Sequence, residues 1–336
     1  MFELKILKNE GRSFSTDILF SQAVLDGLSL KNKYLPSWLI FDGKGSEIFS
    51  QIASSPEYLP AVCEKEILKT HSYCISKRIK TNPFLLVELG AGDGRKTKLL
   101  IDDCLKNKST LHYYPIDISH GAILNLVEEM RSSYYSSQIK VTGLIGDYFL
   151  GLNHVPETPT FQKLVLFLGI TLNNMSPKNA KLFLCRLNKN LNKKDLVLIG
   201  FDLKKNPKIL YDSYNDSKGL FENLNLHLLE RINKTLDANF NKDFFMHHSH
   251  YNPKSNALEC YLYSTRNQTV RINLLKKEFH FKEWEAIQTE KSYKYSLDNI
   301  KILARKCDFK IIDCFYDSKK YFVVFLFETQ KKSSKS

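Results

Sequence analysis

The chain has 336 residues, 43% of them hydrophobic, which is enough for packed cores and too apolar for a disordered chain; its length suggests one large domain plus a second lobe. The formal charge of +13 raises the question of nucleic acid, but the basic residues are spread along the chain, partly into the terminal "QKKSSKS", without a basic and aromatic stripe, so a solvated basic surface and no specific nucleic acid are expected. No apolar stretch reaches the length of a membrane span, and "MFELKILKNEGRSFSTD" lacks the apolar core of a signal peptide, so a soluble cytoplasmic protein is expected.

Residues 85–202 alternate strand and helix signals. "LLVELG", "LHYYPIDIS", "IKVTGLIGD", "KLVLFLGI" and "DLVLIGFDL" are apolar runs of strand length, separated by helical stretches such as "GRKTKLLIDDCLK" and "PKNAKLFLCRLNK". Such alternation predicts an α/β fold, a doubly wound parallel sheet covered by helices. After Asp202 the pattern changes. "SKGLFENLNLHLLERINKTL" is helical, with Ser217 as its expected N-cap, while "ALECYLYSTR" and "VRINLLKKEFHF" each read as a strand. This segment is expected to be an α+β insertion. A helix, "SLDNIKILARKC", then leads to two strands, "KIIDCFYD" and "YFVVFLFET", a hairpin that closes the sheet. The tail 331–336 is expected to be disordered.

The ligand signal lies in "ELGAGDGRKT". Gly90, Gly92 and Gly94 follow Glu88 as G-x-G-x-G, whereas a dinucleotide turn is G-x-G-x-x-G, so the spacing points to S-adenosylmethionine. Two more strand ends agree with it. Asp117 ends the second strand, placed to accept from ribose hydroxyls, and Asp147 with Tyr148 ends the third, placed near adenine. His247, His248 and His250 in "MHHSH" invite a metal reading, but no third or fourth converging ligand is evident, and no metal is expected. Seven cysteines without C-x-x-C spacing are expected to be reduced, most of them packing residues.

From about residue 37 to residue 300 the chain resembles the histidine Nα-methyltransferases of ergothioneine biosynthesis, through "FDGKGSEIFSQIASSPEYLP", "ELGAGDGRKT", "PIDIS", "FLGITLNNM", "GFDLKKNP", "YDSYNDSKG", "FENLNLHLLERIN", "FMHHSHYN" and "TEKSYKYS". The resemblance implies a class I methyltransferase, Rossmann-like, with an inserted α+β substrate-binding domain. Residues 61–202 and 293–330 would form the S-adenosylmethionine domain, and 1–60 with 203–292 the substrate lobe. It implies that Gly90, Gly92, Lys96, Asp117, Asp147 and Tyr148 hold the cofactor. Asn174 and Tyr214 would bind the α-carboxylate of a small-molecule amino acid substrate, L-histidine, while Glu290 and Ser292 read its imidazole. Two residues apart on an extended segment, those last two share a face, and a carboxylate with a hydroxyl suits the two ring nitrogens. Tyr58 would act near the amine, through water, and Cys260 would lie near the pocket.

Two positions depart from the family. Phe41 stands where a tyrosine is usual, and Asn173 where a glycine is usual. Phe41 keeps open another aromatic or basic amino acid as substrate. A basic nucleic-acid-associated protein without catalysis is the third alternative, which the intact site argues against. A monomer is expected.

Overall fold

The computed structural model describes residues 1–7, 16–134, 138–158 and 160–330; the tail 331–336 lies outside the described residues. In chain order the first elements are β1 (Phe2–Ile6), α1 (Thr16–Ser29), β2 (Lys33–Tyr34), α2 (Gly43–Ser54), α3 (Leu59–Ser76), β3 (Phe84–Leu89), α4 (Arg95–Lys106) and β4 (Leu111–Asp117). Next come α5 (His120–Ser133), β5 (Ile139–Ile145), α6 (Tyr148–His154), β6 (Lys163–Phe167), α7 (Pro177–Lys189), β7 (Leu196–Asp202), α8 (Pro207–Asp212) and α9 (Leu220–Leu236). The chain continues through β8 (Phe245–Asn252), β9 (Ala257–Ser264), β10 (Gln268–Ile272), β11 (Lys277–Phe281), β12 (Ala286–Tyr293), α10 (Leu297–Lys306), β13 (Phe309–Tyr316) and β14 (Phe322–Thr329).

Two compact units result: residues 1–9, 63–204 and 295–336 form the first, and residues 10–62 and 205–294 the second. In the first unit one sheet runs β1-β5-β4-β3-β6-β7-β14-β13. Its strands are parallel up to β7, and β14 runs antiparallel to both β7 and β13. This is the doubly wound order with a closing hairpin expected of a class I methyltransferase. Strands β3 and β7 are buried at every position, as a sheet covered on both faces requires. Helix α4 turns Thr97, Leu100, Ile101 and Cys104 inward at helical spacing, each apolar side chain contributing roughly 1.5–3 kcal/mol by its burial. The order reverses between β3 and β6, so the turn after β3 opens at the point where such sheets take ligands.

The first strand corrects the expected boundary. Phe2–Ile6 pairs in parallel with β5 and belongs to the first unit, not to the substrate lobe. Four of its five residues are exposed, so an edge strand here leaves no run of apolar residues to read.

In the second unit the sheet is β2-β12-β9-β8, and β10 and β11 form a separate hairpin. "VRINLLKKEFHF" is therefore two strands instead of one, folded about a short helical turn at Asn273–Leu275 and Lys276 at φ 51°. Ser217 does not cap α9. Its backbone N–H and hydroxyl both donate to Glu57, and Asp216 accepts from the N–H groups of Leu220 and Phe221 at 2.9 Å each. Gly219, at φ 67°, is the N-cap.

Candidate functional site

In the first unit the glycine turn joins β3 to α4. Gly90, Gly92 and Gly94 have φ of 77°, 53° and 65°, the left-handed region that glycine enters without steric cost. A Cβ on Gly92 would meet nothing within 4 Å, so its backbone borders open space. Gly92 N–H donates to one carboxylate oxygen of Asp117 at 3.1 Å, and Ser119 N–H to the other at 2.9 Å. Each oxygen keeps a lone pair for a further donor, which suits ribose hydroxyls. Next to it, Ile118 is 66% exposed, an apolar side chain at a strand end that a flat base would cover.

Asp147 is exposed and caps α6 with a single oxygen, Oδ1 accepting from Phe149 and Leu150 N–H groups at 2.9 and 3.3 Å. Tyr148 brings its hydroxyl 3.2 Å from where a Cβ on Gly90 would lie. Burial raises its phenol pKa first, and Asp117 and Asp147 add to the rise, so the three side chains sit in one another's fields. A left-handed turn, a strand-end acid with spare lone pairs, an exposed apolar side chain and a neutral phenol together fit an adenosyl nucleotide.

Lys96 is held elsewhere in this unit. Its ammonium pairs with Glu64, a 1% exposed carboxylate that also accepts from Gly169 N–H at 3.0 Å. Glu64 escaped the sequence reading because "CEKEIL" has the look of a solvated helix face. Glu88, below the turn, accepts from Thr97 Oγ1 at 2.6 Å and from the Tyr113 hydroxyl. Burial raises its pKa to about 7, against the opposing pull of Thr97 and Tyr113. Asn174 ends the short helix Thr171–Asn174, and its Oδ1 is buried without a hydrogen-bond partner among the described residues. Asn173 is fully buried and donates to Asp202 O at 3.4 Å.

In the second unit β12 carries the polar row. A bulge between Gln288 and Glu290 shifts the alternation by one, so that Glu290 and Ser292 turn inward while Lys291 pairs with Glu259 at 2.8 Å. Lys294, two residues beyond Ser292, is 3% exposed; its ammonium donates to Ser292 Oγ at 2.9 Å and to the Tyr214 hydroxyl at 3.2 Å. The Tyr214 hydroxyl lies 3.1 Å from Ser292 Oγ. Ser249, Cys260 and Glu290 stand opposite one another on β8, β9 and β12. Tyr58 packs edge-on to Tyr214 at 5.6 Å and reaches Phe41 through Phe49, with ring separations of 6.1 and 5.5 Å. A constellation of buried donors, one carboxylate and aromatic walls is thus built within this unit.

Sequence reading missed Lys294, whose signal was its place two residues after Ser292 on an alternating strand. As an ammonium it can only donate, so both hydroxyls accept from it; the Tyr214 hydroxyl passes its own hydrogen to Ser292 Oγ, which leaves the Ser292 hydrogen to point elsewhere. Replacing Lys294 with Met removes the two ammonium hydrogen bonds that orient these hydroxyls and should lower kcat/KM for the amino acid substrate by about tenfold or more, while leaving cofactor affinity unchanged. Steady-state kinetics with a separate cofactor titration checks this.

Burial raises the Glu290 pKa to about 7, with Lys294 pulling it back. An unfolded glutamate ionises near pH ~4.3, so the folded chain holds this proton more tightly. The resulting stability is complete below that unfolded value and is lost as pH rises through about 7, up to about 3 kcal/mol. Glu88 acts in the same direction. Melting temperature should therefore fall between pH 5 and 8, and Glu290→Gln should remove part of that fall; a parallel curve for the variant would contradict the assignment.

His247, His248 and His250 lie on β8, where His247 Nε2 is 3.3 Å from Ser249 Oγ and His250 stacks on Tyr261 at 5.5 Å. A separate cavity of about 480 Å³ is lined by Lys44, Glu222, His227, Glu230 and Lys242. Within it Glu230 accepts from Lys242 at 2.9 Å and Lys44 at 3.0 Å. No described helix is long and apolar enough to cross a membrane.

Residues 20–329 match the family described as "Histidine-specific methyltransferase, SAM-dependent". A histidine N-alpha-methyltransferase of Mycolicibacterium smegmatis is 31% identical over 274 residues, spanning 82% of this chain and 84% of that protein. The protein of the same name from Mycobacterium tuberculosis is 31% identical over 272 residues, spanning 81% and 83%. A 4-dimethylallyltryptophan N-methyltransferase of Claviceps purpurea is 29% identical over 176 residues, spanning 52% of this chain and 51% of that protein.

Proposed function

We propose that this chain, which belongs to the histidine-specific, S-adenosylmethionine-dependent methyltransferase family, methylates the α-amino group of L-histidine. Up to three transfers would give hercynine, the first step of ergothioneine biosynthesis. The observation that carries the reading is the inward row of Glu290, Ser292 and Lys294. A neutral imidazole has one N–H donor and one acceptor nitrogen. Ionised Glu290 offers an acceptor, and Ser292, its oxygen engaged by Lys294, offers a hydrogen. Lysine and arginine, which only donate, and apolar side chains cannot satisfy both.

S-adenosylmethionine, held by Gly90, Gly92, Asp117, Asp147 and Tyr148, supplies an activated methyl group. Lys96, tied to Glu64, is proposed to act on the cofactor by shaping the turn beside Gly169. The remaining task is to present an uncharged amine and exclude water. Tyr214 is assigned a hydrogen bond to the α-carboxylate, its hydroxyl turning to it from Ser292 Oγ, the acceptor it has without substrate, and Asn174 is assigned a second hydrogen bond to that group. Tyr58 borders the amine and passes its protons to solvent through water, a route that spares the site a strong base.

Ring-methylated histidines test this. Either isomer lacks the N–H that Glu290 accepts, so kcat/KM should fall at least tenfold for both, about 1.4 kcal/mol or more. Turnover equal to that of histidine would overturn the assignment. A second reading, another aromatic or basic amino acid as substrate, rests on Phe41, which is 41% exposed at the end of the Phe49–Tyr58 aromatic row and offers no hydroxyl. The kinship with a methyltransferase of a modified tryptophan supports keeping it.

A further inference from the structure

The first unit holds two thiols in contact that the methyl-transfer chemistry does not use. Cys185 lies on α7 and Cys307 is the C-cap of α10, with their sulfurs 2.8 Å apart. Both are free cysteines. Each is also held from the facing helix: Cys185 Sγ lies 3.6 Å from Lys306 O, and Cys307 Sγ 3.4 Å from Lys181 O. A disulfide requires sulfurs about 2.05 Å apart, so closing this gap takes under about 1 Å of movement, within the reach of side-chain rotation. The two sulfurs differ in access. Cys307 is 2% exposed and Cys185 is half-buried, so an oxidant from solvent meets Cys185. Burial first, and Cys185 beside it, push the Cys307 thiol up to about 12, which keeps it protonated at neutral pH while Cys185 reacts.

We propose that Cys185 and Cys307 form an oxidation site at which hydrogen peroxide joins α7 to α10 through a disulfide. The Cys185 thiolate attacks one peroxide oxygen; an S–O bond forms, the O–O bond breaks, and hydroxide leaves to become water. The Cys307 sulfur then attacks the Cys185 sulfur, giving up its proton. An S–S bond forms, the S–O bond breaks, and a second water leaves. Two thiols and one peroxide become one disulfide and two waters, the sulfurs having given two electrons to the peroxide.

The test treats the full chain with stoichiometric hydrogen peroxide, alkylates the remaining thiols under denaturing conditions, and maps peptides without reduction. The expected result is five alkylated cysteines instead of the seven in the reduced chain, and a linked Cys185–Cys307 peptide about 2 Da lighter than its two thiol halves. Dithiothreitol should restore all seven. Exposed Cys74 serves as the internal control and should remain alkylated. Cys185→Ser, at a half-buried position, should abolish the linked peptide and leave methyl transfer unchanged. The proposal is overturned if both cysteines stay alkylated, or if Cys185 gains oxygen with no linked peptide.

Discussion

Gly90→Val weakens S-adenosylmethionine binding by about 10- to 100-fold while the chain stays folded. The backbone at Gly90 has φ 77°, where a β-branched residue is strained by about 1–3 kcal/mol. The new Cβ would also lie 3.2 Å from the Tyr148 hydroxyl, closer than the phenol accepts without moving. Gly90 N–H donates to Ile116 O at 2.8 Å, so a shift of this turn is passed to the strand that ends in Asp117. Relaxing out of that strain displaces the turn, and restoring it on binding should lower affinity by about 10- to 100-fold. Calorimetric titration with the cofactor measures it, alongside a melting curve. Gly94→Val should behave differently: its Cβ would meet Leu126 Cδ1 at 2.4 Å within the core under α5, so stability itself should fall. Affinity retained within threefold in Gly90→Val would mean that the turn does not cradle the cofactor.

The second large effect is expected at Glu290. Glu290→Gln preserves size and removes the charge from a position 8% exposed, so packing changes little and the acceptor is halved. Losing a charged hydrogen bond to the imidazole N–H costs about 1.5–3 kcal/mol, or roughly 10- to 150-fold in kcat/KM for histidine. Cofactor affinity should not move. Above pH 7 the free variant should also be more stable than the parent chain, because no buried carboxylate is forced to ionise; a variant that loses both activity and stability there would point to a structural role.

Legibility from sequence followed burial. Strands β3 and β7, buried on both faces, are apolar runs that any reading finds, and the G-x-G-x-G turn announces itself through the backbone it demands. β1 hides because an edge strand needs no apolar face, and the β10–β11 hairpin hides because Lys276, instead of glycine or asparagine, takes the positive φ. Within "TEKSYKYS" the spacing alone puts Glu290 and Ser292 on one face, but only the bulge decides that this face is the inner one. Lys291 and Lys294 are the same letter in the sequence. One pairs with Glu259 and the other is buried against two hydroxyls, a difference set by cross-strand neighbours that no single sequence displays. The same holds for Glu64, whose partners Lys96 and Gly169 come from distant segments.

Mass spectrometry of the purified chain incubated with S-adenosylmethionine and the twenty amino acids in one mixture is the most direct test of the assigned substrate. Histidine alone should gain mass, in successive methyl steps ending at three, and Glu290→Gln should suppress the series. Methylation of a different amino acid with histidine untouched would contradict it and turn attention to Phe41.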